Sequence, residues 1–140
     1  MSTFALHILA PDGVLYDGPC EALTAPGSDG QFGILAQHNN MIAGIVPGKF
    51  SYTVPGEKKK FLAVSYGFMK VTGDEVLVMV DAAERPENID AARAQREADA
   101  AAEEMLQNKS LRDYKMAEAN RAKAMNRLRI RHSYDMKEID

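Results

Sequence analysis

Glu84-Arg85-Pro86-Glu87-Asn88-Ile89-Asp90-Ala91-Ala92-Arg93-Ala94 marks the place where this chain of 140 residues changes character. All 10 glycines lie at or before Gly73 and all 6 prolines at or before Pro86. The 53 residues from Asn88 onward hold 11 alanines and only three β-branched residues, Ile89, Ile130 and Ile139. Gly and Pro punctuate turns, whereas Ala is the strongest helix former, so two kinds of structure join at this point. The expected fold is α+β: an all-β sandwich over residues 1–85, followed by an antiparallel two-helix hairpin over 86–140.

Upstream of the junction, short apolar runs alternate with turn signals, as in β-sandwiches and barrels. Strands are predicted over 4–9, 14–16, 20–25, 31–35, 50–54, 60–65, 68–71 and 75–80. Pro11-Asp12-Gly13, Gly27-Ser28-Asp29-Gly30, Pro47-Gly48, Pro55-Gly56 and Gly73-Asp74 bound them, with Gly tolerating positive φ and Pro holding φ near −65°. Phe50, Tyr52 and Val54 alternate cleanly, while Phe61 and Ala63 oppose Leu62 and Val64. Such a mixture of half-wet and fully buried strands suits two packed sheets better than one open sheet.

Downstream, Asn88 is a plausible N-cap with Asp90 in the first turn, where a carboxylate meets the positive end of the helix dipole. From 89 to 106, Ala91, Ala94, Ala98, Ala101, Ala102 and Met105 recur at helical spacing among charged residues. Gln107-Asn108-Lys109-Ser110 interrupts the pattern, and Ser110 can cap a second helix over 111–132 with Tyr114, Ala117, Ala124, Met125 and Leu128 inward. A break this short implies antiparallel neighbours. Alanine faces bury little apolar area, so the hairpin is expected to be weakly held and able to open.

Composition narrows the function. A length of 140 residues suits one domain or a small domain with an appendage. The formal net charge is −3, which removes the broad positive field on which non-specific nucleic-acid binders depend. No apolar run approaches the roughly 20 residues of a membrane span, so direct membrane insertion is not expected, and the N-terminus has no signal-peptide pattern. The single cysteine, Cys20, cannot pair internally and reads as a small buried hydrophobe, which fits a reducing compartment. His7, His38 and His132 have no partners at metal spacing. The GSDGQFG segment at 27–33 lacks the Lys-Ser/Thr of a phosphate loop and reads as a tight turn. Neither a nucleophile elbow nor any other catalytic constellation is present.

Two clusters rise above this background. Arg121, Lys123, Arg127, Arg129 and Arg131 fall in one eleven-residue stretch with no acid among them. Lys123/Arg127 and Arg127/Arg131 are like charges at i,i+4 and repel, a strain relieved by the helix C-terminus or by a partner carrying acid groups or phosphate. Asp90 and Arg93 stand one turn apart, either as an intrahelical ion pair or as part of a site.

Taken in order, Gly30-Gln31-Phe32-Gly33-Ile34-Leu35-Ala36-Gln37-His38, Ser65-Tyr66-Gly67-Phe68-Met69-Lys70-Val71, Ala82-Ala83-Glu84-Arg85, Ile89-Asp90-x-x-Arg93-Ala94 and Ala122-Lys123-Ala124-Met125-Asn126-Arg127-Leu128 resemble the epsilon subunit of F-type ATP synthases over nearly the whole chain. Gln31 stands where that family usually has an acid, and Ala36-Gln37-His38-Asn39-Asn40 replaces its Pro-Gly-His-x-Pro run.

The resemblance implies a non-catalytic rotor subunit at the cytoplasmic face of the cell membrane, held there peripherally. In that family the sandwich grips the gamma subunit and rests on the c ring, placing Gln31 and His38 at the rotor interface. It helps couple ion translocation to ATP synthesis. The hairpin lies folded or extends toward the alpha/beta catalytic head, where Lys123, Arg127, Arg129 and Arg131 would meet acidic groups and restrain ATP hydrolysis. No cofactor is required, but ATP is a candidate regulatory ligand: Ile89, Asp90, Arg93 and Ala94 match the family's binding pattern, with Glu84 before them and Lys123 and Arg127 on the second helix. Lys123 replaces an arginine there, and Ala100 a basic residue. A free-standing ATP sensor, or an adaptor presenting a basic helix, is the alternative from another class; a hydrolase using Asp90 or Glu84 lacks a paired base and nucleophile.

Overall fold

Phe4, Leu6 and Ile8 are buried while Ala5 and His7 between them are partly exposed, the period-2 pattern of a strand with one face on a core. A computed structural model of the chain describes residues 2–107 and 110–136, and it divides into two units between Glu84 and Arg85. Among the described residues of the first unit there are ten strands: β1 Phe4–Ala10, β2 Gly13–Cys20, β3 Ala22–Gly27, β4 Gly30–Leu35, β5 Met41–Ile45, β6 Gly48–Thr53, β7 Lys60–Val64, β8 Gly67–Thr72, β9 Glu75–Val80 and β10 Ala83–Glu84.

They form two five-stranded sheets, ordered β2-β1-β9-β8-β5 (sheet I) and β10-β7-β6-β3-β4 (sheet II). Every pairing is antiparallel except β1 with β9, which run parallel with Leu6 opposite Val76 and Ile8 opposite Val78. One continuous core joins Leu6, Ile8, Met69, Val76 and Val78 of sheet I to Leu23, Ile34, Phe50, Tyr52 and Leu62 of sheet II. The tilted Phe50 and Tyr52 rings lie 6.2 Å apart, and Tyr16 stands 5.2 Å from Tyr52. This is the expected β-sandwich.

Two strands escape the sequence pattern. β5, Met41-Ile42-Ala43-Gly44-Ile45, has no polar side chain on either face and exposes Ile42, so its hydrophobicity does not alternate although its burial does; as an edge strand it is held by β8 alone within its sheet. β10 is two residues long, too short for any period. Cys20, expected to open a strand, instead closes β2; its buried Sγ donates to the Ala22 carbonyl at 3.1 Å, and burial pushes the thiol pKa up. The GSDGQFG turn links β3 to β4, with Gly27 opposite Gly30 and Gly30 at φ +116°.

The second unit contains a 3-10 turn, Pro86–Asn88, and helices α1 Ala91–Met105 and α2 Leu111–Asp135. Asn88 is therefore not the cap of α1. Asp90 is: its carboxylate accepts from the Arg93 N–H, and Pro86 nucleates the turn that precedes it. Ser110 caps α2 as expected, accepting from Asp113 N–H at 3.2 Å. Asn108 and Lys109, part of the predicted break, and residues 137–140 lie outside the described residues. Ala94, Ala98 and Ala101 of α1 and Ala117, Ala124, Asn126 and Ile130 of α2 are buried. Tyr114, expected inward, is 38% exposed, because the inward stripe of α2 begins only at Ala117; Leu106, Leu111 and Met116 near the break are exposed too.

At the start of β8, a Cβ on Gly67 would collide with the Met79 carbonyl oxygen and lie 2.7 Å from Val80 Cα, both backbone atoms of β9 that cannot yield cheaply. Gly44 faces open space. Gly67→Ala should therefore lower unfolding free energy by about 1–3 kcal/mol in urea titration, while Gly44→Ala changes it by less than about 0.5 kcal/mol. Equal midpoints for the two variants would contradict this account of the β8–β9 pairing.

Candidate functional site

The junction segment builds the start of α1. Asp90 Oδ1 accepts from Arg93 N–H at 3.0 Å, and this bond, helped by the nearby Arg96 guanidinium, holds the Asp90 carboxyl below the ordinary carboxylate value. The Asp90–Arg93 ion pair allowed by sequence spacing does not form side chain to side chain. The Arg93 guanidinium turns to Glu97 instead, with Nε 3.0 Å from Oε1. From α2, Arg127 reaches the other oxygen of the same carboxylate, Nη1 to Oε2 at 3.4 Å. Glu97 thus joins two arginines that are far apart in sequence and carried by different helices. Ala94 and Ile89 are buried beside this start, and Lys123 sits half-buried one turn before Arg127.

Arg131 has a different task from the one its sequence cluster implies. Its Nη1 donates to the Glu87 carbonyl at 2.8 Å and lies 3.3 Å and 3.4 Å from the carbonyls of Pro86 and Ile89. Its Nε meets Asp135 at 3.1 Å. One guanidinium thereby gathers the carbonyls of the turn that leads into α1, the planar fork serving where an ammonium would make fewer directed bonds. Of the four cations expected to face a partner, Lys123, Arg127 and Arg131 are half-buried and Arg129 is exposed.

Glu84 lies in β10, opposite Ala63 of β7, on the sandwich side of the division. Gln31 is exposed in β4 near the β3–β4 turn, not on a loop. Four residues of extended chain, about 13 Å, separate it from Leu35, beyond which the loop bearing His38 begins. Gln31 and His38 are thus at opposite ends of β4. His38 Nδ1 hydrogen-bonds to the Asn39 carbonyl, and Asn40 of the same loop accepts from Gly73 N–H at 2.9 Å, tying the loop to the β8–β9 turn.

Register exposes a further surface that sequence reasoning missed. Val14, Leu9, Met79 and Phe68 are neighbours across β2, β1, β9 and β8. Phe68 and Met79 are each 41% exposed, and with Leu9, Tyr66 and Val80 they line an open groove of about 340 Å³. The signal was present locally, since Phe68 and Met79 break the alternation of their strands, but only the β8–β9 register sets them side by side and only the β1–β9 pairing adds Leu9 to them. Among the described residues no group of His, Cys, Asp and Glu is arranged to hold a metal ion, and no helix is long and apolar enough to cross a membrane.

A family model described as the beta-sandwich domain of the ATP synthase delta/epsilon chain matches residues 3–86. Proteins named ATP synthase epsilon chain from Clostridium novyi and Shouchella clausii are 40% and 35% identical to it, covering 91% and 93% of this chain and 97% and 96% of theirs. The chain belongs to the epsilon subunits of F-type ATP synthases. A further epsilon chain, from Koribacter versatilis, is 44% identical over 75% of this chain and 72% of its own. Among solved structures, a chain of the Euglena gracilis mitochondrial ATP synthase, described as OSCP/F1/c-ring, superposes with a TM-score of 0.70 at 21% identity, covering 99% of this chain and 83% of that one. One from the central stalk/c-ring of the Tetrahymena thermophila enzyme gives 0.65 at 10% identity, covering 91% and 95%. At those identities the likeness shows the fold alone.

Because the Asp90 carboxyl is depressed in the folded epsilon chain, its cap is fully present above the unfolded value of about 3.9 and is lost as pH falls below that through the folded value. The Arg93 amide resonance should report this loss as pH falls below about 3.9. Asp90→Asn, which keeps an acceptor at the cap, should abolish that step. An unchanged acid profile in the variant would exclude Asp90 as the titrating group.

Proposed function

We propose that this epsilon subunit works in the central stalk at the cytoplasmic face of the membrane, peripherally bound, coupling ion translocation to ATP synthesis and restraining hydrolysis when its hairpin opens. It carries out no reaction itself. The observation that carries this reading is the use of Arg127 and Arg131 inside the closed hairpin. Opening releases both, so the cations that would meet acidic groups of the alpha/beta head are the ones that hold the hairpin shut. Lys123 and Arg129 on the same helix complete the inhibitory surface.

The hairpin interface supports the same reading. Five buried alanines supply much of its apolar contact, so the closed and open states differ by little and a ligand with differential affinity can choose between them. We assign that ligand as ATP. Arg93 and Arg127 pair with phosphate oxygens, Lys123 adds a point charge, Asp90 accepts from the base or ribose, and Ile89 and Ala94 form the apolar wall.

On the sandwich, the Phe68–Met79–Leu9 row is assigned to the gamma subunit, since an apolar row open to solvent marks an interaction surface and the central stalk supplies a protein partner for it. Gln31 and His38, at the two ends of β4, are assigned to the rotor interface, with the His38 loop on the c ring.

Deleting all residues after Asn88 should raise ATP hydrolysis by the reconstituted F-type complex by on the order of 5-fold or more, the usual scale of a regulatory coupling. Flat hydrolysis would sink the inhibitory role. Phe68→Glu should reduce recovery of the subunit with gamma while leaving its unfolding midpoint unchanged; full recovery would remove that face from the interface. Calorimetry of the isolated subunit should show ATP binding that is lost in Arg93→Ala and Arg127→Ala, and no heat at millimolar ATP would eliminate the nucleotide site.

A further inference from the structure

The Glu97 carboxylate takes one guanidinium on each oxygen: Arg93 Nε at 3.0 Å on Oε1 and Arg127 Nη1 at 3.4 Å on Oε2. Two cations from two helices converging on one oxyanion is the arrangement of an anion site, and here the chain itself provides the anion. Helix stability does not account for it. Within a helix an acid four residues before a base is the better order, and Arg93 to Glu97 is the reverse. The Arg127 contact spans 30 residues of sequence and joins the helices at the level where Arg93 emerges. Glu97 is half exposed, so a ligand can reach and displace it.

We propose that Glu97 is a built-in competitor for the phosphate group of the regulatory ligand. Its two oxygens occupy the place of two phosphate oxygens, and binding requires Glu97 to swing away from both arginines. The assignment of the ligand as a nucleotide rests on the reading given above; the competition itself concerns any polyphosphate. Two consequences follow from charge. Glu97 lowers affinity, by holding the arginines and by repelling the incoming phosphates. It also adds one ion-pair bridge between α1 and α2 without ligand, and the phosphate takes over that bridge when it binds. Glu97 thus sets the ligand concentration at which the hairpin is held by ligand rather than by its own carboxylate.

The test uses the full-length subunit and two variants, Glu97→Gln and Glu97→Ala, titrated calorimetrically with ATP and separately with inorganic tripolyphosphate. Exposed pairs of this kind are weak, so both variants should bind about 3- to 10-fold more tightly than the unaltered chain. Adding Arg93→Ala to Glu97→Gln should abolish the gain. Unchanged or weaker affinity in both variants overturns the proposal, even where the unaltered chain binds ATP and the nucleotide reading survives. Tighter tripolyphosphate binding by the variants, with ATP bound by none of the chains, upholds the role of Glu97 and ends the nucleotide reading. Failure of all three chains to bind either anion overturns both.

Discussion

Leu6 and Ile8 of β1 lie beside Val76 and Val78 of β9, and this parallel pairing brings together strands some seventy residues apart. All four side chains are buried against Phe50, Tyr52 and Leu62 of the opposite sheet. Each such side chain contributes about 1.5–3 kcal/mol on leaving water. Since β1 and β9 are central in sheet I, their outward residues become the middle of its exposed face. The Phe68–Met79–Leu9 row exists only because β8, β9 and β1 are neighbours. Core and outer surface are thus two sides of one pairing, the inward residues closing the sandwich and the outward ones supplying its apolar row.

The helical unit obeys a different balance. Alanine brings only a methyl group to an interface, so α1 and α2 approach closely without the apolar gain that holds the sheets together. Directed polar contacts then matter more in proportion. Arg131 gathers the carbonyls of Pro86, Glu87 and Ile89, and Glu97 ties Arg93 to Arg127. Exposed pairs of this kind are worth about 0.2–1 kcal/mol each. A sandwich with a large apolar core and a hairpin held by small residues and polar contacts thus stand in one chain.

In the proposed mechanism, charge ties the closed and open hairpin together. A cluster of like charges on α2 is unfavourable in isolation, and the closed hairpin relieves it with backbone carbonyls and a carboxylate from its own chain. Relief by an internal partner and relief by an external one are mutually exclusive for the same guanidinium. That exclusivity couples conformation to partner choice without any long-range relay, which is the physical content of a two-state element.

Much of this was legible in the residues themselves. The distribution of Gly, Pro and Ala divided the chain, turn chemistry bounded eight strands, Ser110 announced its helix, and the ordered motifs identified the family, because local propensity and motif spacing are properties of short segments. Asp90 shows where that stops. Its cap role was masked by Asn88, an equally good capping residue two positions earlier, and the 3-10 turn after Pro86 decided between them. β5 and β10 form because a neighbouring strand offers hydrogen bonds, not because their own residues alternate. Arg127 and Arg131 carried a visible charge but not a visible partner: Glu97 and the junction carbonyls became theirs only when α1 and α2 folded together. Sequence alone determined both helices, eight of the ten strands and which residues are charged; the tertiary structure decided which charges meet, because a salt bridge across 30 residues depends on packing that no local pattern encodes.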